Sequence, residues 1–467
     1  MTKKIFSLSL IFLLLLGSST FANDNEENVM NTLSNEWEEK AEQAQISLFE
    51  NYWNNETSMF NNAYECNNCN GQFHYWWLAH ALDTLIDAYE RTNNVVYLDR
   101  SKALYESILK RNNGVITNHF YDDMLWMSLA LLRLYEHTND SKYEAAVFTL
   151  WDDIKTGWSD QFGGGIAWNK SQLDYKNTPS NAPAVILASR LYQKYGNPDD
   201  LDWAMKIYNW QKSTLVNPET GFVWDGINRT GNGNIDKNWE FTYNQGVYIG
   251  AGVELYRATN SKEYLDDAIQ TSETGIQRLV ANKTTNILKD EGGGDGGLFK
   301  GIFVRYLGGL VKENPNQKDI AQFLINNAKS AWGNKLAEDK ILFGSSWERT
   351  PNLNLDLSIN LSGVMLMEQA AIMEKLLADP VSISLLNEQL NGYIATDDIK
   401  GPLVPILLNT VKQAEHHLEK DRVEQAIKHL QNFQKHLHNN AHQNYLSDDA
   451  KNQLTITTDL LLEELSK

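Results

Sequence analysis

From Glu36 to about residue 377 the chain alternates between two kinds of helical pattern. Apolar residues at helical spacing mark twelve segments, approximately 36–58, 76–91, 95–110, 122–137, 141–156, 181–195, 198–215, 240–259, 261–281, 295–313, 317–333 and 355–377. The even-numbered segments are apolar nearly all round: Met124-Leu125-Trp126-Met127 through Leu134, Ala184-Val185-Ile186-Leu187, Val247-Tyr248-Ile249 and Leu298 to Leu310. The odd-numbered ones keep a polar face, as in Ser141-Lys142-Tyr143-Glu144-Ala145-Ala146 or Asp266-Asp267-Ala268. A helix buried on every side belongs inside and an amphipathic one outside. Six inner helices alternating with six outer ones predict an all-α fold, a closed (α/α)6 toroid.

The connections differ as sharply as the helices. Four inner-to-outer turns repeat one short motif: Tyr89-Glu90-Arg91-Thr92-Asn93, Tyr135-Glu136-His137-Thr138-Asn139, Tyr192-Gln193-Lys194-Tyr195-Gly196-Asn197 and Tyr256-Arg257-Ala258-Thr259-Asn260. The outer-to-inner connections are long: 59–75, 111–121, 157–180, 216–239, 282–294 and 334–354. Because the hairpins alternate, every long loop emerges at one end, beside the inner-helix N-termini, and loops of that length usually carry function. They are rich in Gly and Trp, among them Trp158, Trp168, Trp224, Trp239 and Trp347. Exposed indoles there would stack on sugar rings; the alternative is that they pack the loops.

After Asp379-Pro380 the pattern breaks, and a Lys-, Gln- and His-rich helical stretch, residues 380–467, reads as a small helical bundle of three or four helices. Pro402 and Pro405 start one helix and Ser447-Asp448-Asp449 caps the last. At the other end, Lys3-Lys4, an apolar run from Ile5 to Leu16 and small residues up to Ala22 describe a secretory signal peptide over residues 1–22. The toroid then occupies 23–379. We expect a secreted, extracellular monomer without stable membrane insertion. A net charge of −19 argues against nucleic acid as a partner. Cys66 and Cys69 are the only cysteines; outside the cell they form a local disulfide or stay a free pair, and a zinc site would need more ligands than His74. We expect no metal and no cofactor.

Asp-Asp occurs six times, at 122–123, 152–153, 199–200, 266–267, 397–398 and 448–449. Context separates one of them. Asp122-Asp123 follows a long loop and opens an inner helix, so it faces the cavity at the long-loop end. Glycoside hydrolysis needs such a pair: one carboxyl protonated to assist the leaving oxygen, the other ionised at the anomeric carbon. Like charges held close raise one pKa, while the helix N-terminus favours the ionised partner. Neighbours about 100° apart on a helix can set their carboxyls about 5 Å apart, the retaining separation. A doubly capped helix start is the structural alternative.

Five motifs follow in order: His119-Phe120-Tyr121-Asp122-Asp123-Met124-Leu125-Trp126, Gly163-Gly164-Gly165-Ile166, Asn181-Ala182-Pro183-Ala184, Tyr243-Asn244-Gln245-Gly246 and Asp295-Gly296-Gly297-Leu298-Phe299-Lys300-Gly301-Ile302-Phe303. Together they resemble glycoside hydrolase family 76, the endo-acting α-1,6-mannanases, over roughly residues 36–377. The resemblance implies a (α/α)6 fold and retaining hydrolysis of α-1,6-linked mannan or mannooligosaccharides, with Asp122 as nucleophile and Asp123 as general acid/base. The family usually has two aromatics after Gly-Gly-Gly-Ile; Ala167-Trp168 keeps one, and Trp168 is the sugar-contact candidate there. The C-terminal stretch resembles the helical FIMAH domain, on the 421–438 helix and the final capped helix.

The remaining candidates begin inner helices on the same rim. Asn181 hydrogen-bonds a sugar hydroxyl or only caps its helix. Tyr243, Asn244 and Gln245 offer neutral partners for an uncharged sugar. Asp295 grips two vicinal hydroxyls or caps, Asp225 beside Trp224 is a further subsite candidate, and Lys300, deeper on an apolar helix, is expected to pair with a carboxylate. The glycines of 292–297 are no phosphate loop, lacking a following Gly-Lys-Ser/Thr. His438 and His442 could share a metal or sit solvated on the surface. Two readings compete with a mannanase: a mannan transglycosylase, which differs only in water access at the acceptor side, and a catalytically silent mannan-binding protein, against which the intact Asp122-Asp123 speaks.

Overall fold

The computed structural model describes residues 36–353, 355–378 and 382–466; the expected signal peptide lies outside them. Among the described residues, twelve helices build the larger part of the fold. The inner six are α2 (Tyr75–Thr92), α4 (Tyr121–Thr138), α6 (Thr178–Tyr195), α8 (Thr242–Thr259), α10 (Gly296–Glu313) and α12 (Leu357–Ala378). Each packs against the next, and α12 returns to α2 to close the ring. The outer six are α1 (Glu36–Tyr52), α3 (Val95–Arg111), α5 (Ser141–Lys155), α7 (Pro198–Leu215), α9 (Lys262–Leu279) and α11 (Lys318–Gly333). The chain is a (α/α)6 toroid, with the inner helices buried on all sides and the outer ones exposing the polar face that the alternation predicts.

The four repeated turns share one physical cause. Asn93, Asn139, Gly196 and Asn260 all take the left-handed conformation, φ between 52° and 69°, and each backbone N–H closes onto the carbonyl of the tyrosine four residues earlier. Asn and Gly tolerate that conformation best, which is why they recur. Asn94, Asp140 and Asn197 then cap the outer helices by accepting the N–H two residues on.

The first helix departs from the expected 36–58. It stops at Tyr52, because β1 (Trp53–Asn54) and β2 (Met59–Phe60) pair as an antiparallel hairpin. Other short strands brace the long loops. β3 (Ala63–Tyr64) pairs with β7 (Leu355–Asp356), tying the first long loop to the last. β4 (Ala167–Asn169), β5 (Gln172–Asn177) and β6 (Gly226–Ile227) form a three-stranded antiparallel sheet that joins loop 156–177 to loop 216–241. Cys66 and Cys69 are joined in a disulfide, and no helix among the described residues is long and apolar enough to cross a membrane.

Residues beyond 382 form α13 (Ile383–Ala395), α14 (Leu403–Leu418), α15 (Val423–Leu437) and α16 (Asp448–Leu465) around a core of their own that includes Leu390, Leu407, Phe433 and Leu454. Asn452 and Gln453 on α16 reach Asn260 and Glu313 of the toroid. Both partners sit at C-terminal ends of inner helices, so this bundle docks on the end opposite the long loops.

Candidate active site

At the long-loop end the inner helices surround a cavity of about 460 Å³. α4 enters it with two acids in its first turn, Asp122 and Asp123, where the helix N-terminus offers unpaired N–H groups. The Asp123 N–H donates to Asp122 Oδ1 at 3.0 Å, and the Trp168 indole N–H donates to Oδ2 at 3.1 Å. The Asn118 amide donates to Asp123 Oδ2 at 3.0 Å. No Lys, Arg or His among the described residues lies within ion-pair distance of either carboxyl. Part of each still faces the cavity, yet both are deeply enclosed. Burial pushes Asp122 up to about 7, against its two hydrogen bonds. Asp123 goes well above the usual carboxylate range: burial raises it first, then repulsion from Asp122 and Asp295, with only Asn118 opposing.

The three-stranded sheet positions the opposite wall. Its β4–β5 hairpin carries Trp168, with Tyr175 at 5.8 Å edge-to-face and Phe120 at 5.1 Å on either side. Behind it Lys176 is fully buried and donates to Gly165 O at 2.7 Å and Ser159 Oγ at 2.8 Å, tethering the glycine run. Burial lowers its amine to about 8. Gly165 has to be glycine: its φ is +91°, and a Cβ would come within 2.6 Å of the Trp210 ring. On the third wall Asp225 accepts hydrogen bonds from Tyr175 Oη (2.9 Å), Tyr243 Oη (3.0 Å) and Asn244 Nδ2 (3.1 Å). Burial raises its pKa, although these three donors oppose the shift. Asp295 accepts the indole N–H of both Trp76 and Trp77, at 3.1 and 3.0 Å, and makes no cap, so its carboxylate is aimed into the cavity.

Six of the eight residues expected at the site therefore line one cavity: Asp122, Asp123, Trp168, Asp225, Tyr243 and Asp295. Two need correction. Asn181 is fully buried; its Oδ1 accepts the Ile166 N–H at 2.8 Å while its Nδ2 donates to Ile166 O and Asn177 O, leaving nothing for a sugar hydroxyl. Asn244 is also fully buried and acts behind the wall, on Asp225. Gln245 likewise turns to the Val223 backbone. Among the described residues Lys300 pairs with no carboxylate: it donates to Ser345 O and lies 4.0 Å over the Trp347 ring, with burial lowering it to about 8. Of the loop tryptophans, Trp168 and Trp239 reach the cavity, whereas Trp158 and Trp347 pack the loops.

Sequence reasoning missed Trp76, Asn118, Tyr175 and Phe299. Trp76 and Phe299 sit in first turns of inner helices, where the apolar pattern reads as core. Phe299 stacks on Tyr243 with centroids 3.9 Å apart. Tyr175 lies on a strand that the helical reading did not anticipate, and its alternation with Leu173 was the available signal. No group of three or more His, Cys, Asp or Glu among the described residues could hold a metal. A second cavity of about 300 Å³ lies on the axis at the closed end, but each carboxylate lining it (Asp83, Asp87, Glu90, Glu254, Glu368) is paired with an arginine.

The arrangement supplies a carboxyl raised well above the usual carboxylate range beside one whose acceptors are already engaged, in a pocket largely lined by aromatic faces and neutral donors. Comparison with known proteins points the same way. The model of glycosyl hydrolase family 76 matches residues 36–383, and that of the FIMAH domain matches residues 383–463. The chain is 28% identical over 287 residues to a mannan endo-1,6-alpha-mannosidase of Saccharomyces cerevisiae, an alignment covering 55% of this chain and 63% of the yeast protein. It thus spans under two thirds of the length of that curated relative. The alpha-1,6-mannanase of Salegentibacter sp. HEL1_6 superposes with a TM-score of 0.69 at 43% identity, over 72% of this chain and all of that one. An inactive variant of the same enzyme, altered at two adjacent aspartates and in complex with alpha-1,6-mannotetrose, matches at 43% identity and a TM-score of 0.69, over 72% and 99% of the two chains.

Proposed function

The chain belongs to glycosyl hydrolase family 76, and from that premise we propose that it is a secreted endo-acting hydrolase of α-1,6-linked mannan that retains the anomeric configuration. The observation that carries the reading is the adjacent carboxyl pair opening α4 inside the cavity, held by neutral donors and not by cations. The loss of activity in the Salegentibacter enzyme altered at two adjacent aspartates, which still holds a mannotetraose, supports it.

In the first step Asp122 attacks the anomeric carbon; an ester bond forms as the glycosidic C–O bond breaks. Asp123 gives its proton to the departing oxygen. In the second, Asp123, now a carboxylate, takes a proton from water, whose oxygen attacks the same carbon and releases Asp122. Hydrogen bonds on both oxygens of Asp122 favour its ionised form, and the enclosed, repelled Asp123 keeps the proton that the first step needs. Asp225 and Asp295, each oriented by aromatic donors, offer acceptors for sugar hydroxyls. Secretion is supported by the signal-like first 22 residues and by the disulfide.

The test is linear α-1,6-mannan incubated with the mature protein, its first products followed by proton NMR. Short oligosaccharides released first as the α-anomer are expected, with folded Asp122→Asn and Asp123→Asn variants slowed by roughly 10³-fold or more. A first-formed β-anomer would mean inversion. Polymer binding without products from well-folded protein would leave a binding protein.

A further inference from the structure

Asn118 lies in none of the motif roles assigned above, yet among the described residues it is the one side chain that hydrogen-bonds the Asp123 carboxyl. We propose that Asn118 is a positioning residue that dictates which oxygen of Asp123 carries the catalytic proton. The inference rests on the mannanase reading of this site and adds to it.

The geometry leaves the amide one orientation. The Phe120 N–H donates to Asn118 Oδ1 at 3.0 Å, closing a turn two residues long. A backbone N–H can only donate, so the oxygen of the amide must face it and the NH2 must face away. That NH2 donates to Asp123 Oδ2 at 3.0 Å. In a neutral carboxyl the oxygen that accepts a hydrogen bond is the carbonyl one, so the proton sits on Oδ1. Among the described residues no donor reaches Asp123 Oδ1, which is left to the cavity. Asp122 contrasts with it: both of its oxygens accept, from the Asp123 N–H and the Trp168 indole, so neither is left free of a donor as Asp123 Oδ1 is. Three unambiguous donors, one backbone amide, one indole and one oriented amide, thus distinguish two chemically identical neighbours.

The consequence is specific to proton donation. Without the Asn118 amide the proton is shared between both oxygens and the carboxyl is free to turn, so protonation of a poor leaving group loses its alignment. Attack by Asp122 is untouched. A leaving group that departs as a stable anion needs no proton and should not feel the change.

The experiment measures kcat/KM, which reports the first bond-breaking step, on linear α-1,6-mannan and on an α-1,6-mannobioside carrying a dinitrophenyl leaving group. The enzymes are wild type, Asn118→Leu and Asn118→Asp. The aspartate variant keeps an acceptor for the Phe120 N–H and guards against a folding defect, and melting curves confirm both. On mannan a loss of about 10- to 100-fold is expected, a part of what a general acid contributes. On the activated substrate kcat/KM should change by no more than about threefold, because no proton transfer is needed there. The alkaline limb of the mannan profile should move to higher pH, since the lost donor had stabilised the Asp123 carboxylate. Equal losses on both substrates, or an unmoved alkaline limb, would overturn the proposal. A wild type that cleaves neither substrate would instead overturn the mannanase reading, and the inference with it.

Discussion

Replacing Asn181 with alanine separates a wall from a ligand. A residue that binds a sugar hydroxyl would, on truncation, raise KM and leave the fold intact. The structure predicts the opposite, because all three hydrogen bonds of Asn181 go to backbone: Ile166 N–H at 2.8 Å, Ile166 O at 2.9 Å and Asn177 O at 2.8 Å. Each contributes about 1 kcal/mol net, and a buried Ile166 left unpartnered adds a penalty of its own, so a loss of roughly 3–4 kcal/mol is expected. For a toroid of this size the unfolding entropy converts that into a drop in melting temperature of about 4–6 °C. Ile166 immediately precedes the β4–β5 hairpin that carries Trp168, so kcat should fall as well through a loosened Asp122. Scanning calorimetry beside steady-state kinetics on mannan decides it. An unchanged melting temperature with a raised KM would refute the reasoning and return Asn181 to the substrate.

Trp168→Phe keeps an aromatic between Phe120 and Tyr175 but removes one donor from Asp122. A single hydrogen bond to a charged group should then move the acid limb of kcat/KM upward by about one pH unit; an unmoved limb with a raised KM would instead make Trp168 chiefly a sugar platform. Asp122 titrates at about 7 in the fold against an ordinary 3.8, so the folded state binds the proton more tightly, and stability falls as pH rises through that window. Asp122→Asn should therefore melt above wild type at pH 7.5 and level with it at pH 4, and an equal or lower melting point at pH 7.5 would contradict the shift. The disulfide spans a sequence separation of only 3, so replacing Cys66 and Cys69 together with serine should cost at most about 2 kcal/mol and leave kcat unchanged. A larger loss would show that the bond holds more than its own loop.

All twelve toroid helices were legible because burial on every side and burial on one face leave different sequence patterns, and the ring needs six of each. Asp122-Asp123 was legible for a related reason: following a long loop and opening an inner helix fixes the end of the toroid on which a side chain lies. It does not fix the direction. Asn181 and Asn244 satisfy the same rule as Tyr243, yet they turn toward a loop backbone and toward Asp225: Ile166 presents a buried N–H and C=O that one amide pairs together, and the Asp225 carboxylate takes the Asn244 N–H. Lys300 departs from expectation similarly: a buried ammonium was assigned a carboxylate, and a carbonyl with an indole face serves. The strands of the loops left almost no signal, being two to six residues long, so Tyr175 stayed hidden with them.

The two ends of the toroid axis show why chemistry belongs to one of them. Both ends bury carboxylates. At the closed end burial would raise Asp83, but Arg133 and Arg305 more than offset it and hold that carboxyl below its ordinary range. The same arginines pair with Asp87, while Arg190 and Arg257 share Glu254. Asp83 and Glu254 are thereby held in the ionised form, and these pairs contribute charge balance. At the open end the acids meet indoles, phenols and amides. These donors orient a carboxylate without neutralising it, so burial wins at Asp122, pushing it up to about 7, and burial with repulsion from Asp122 and Asp295 pushes Asp123 well above the usual carboxylate range. A general acid requires that condition, and an arginine placed beside Asp123 would abolish it by pulling the carboxyl back into the ionised range. The contrast between guanidinium and neutral donors therefore separates Asp83 from Asp122 and Asp123 within a single ring of helices.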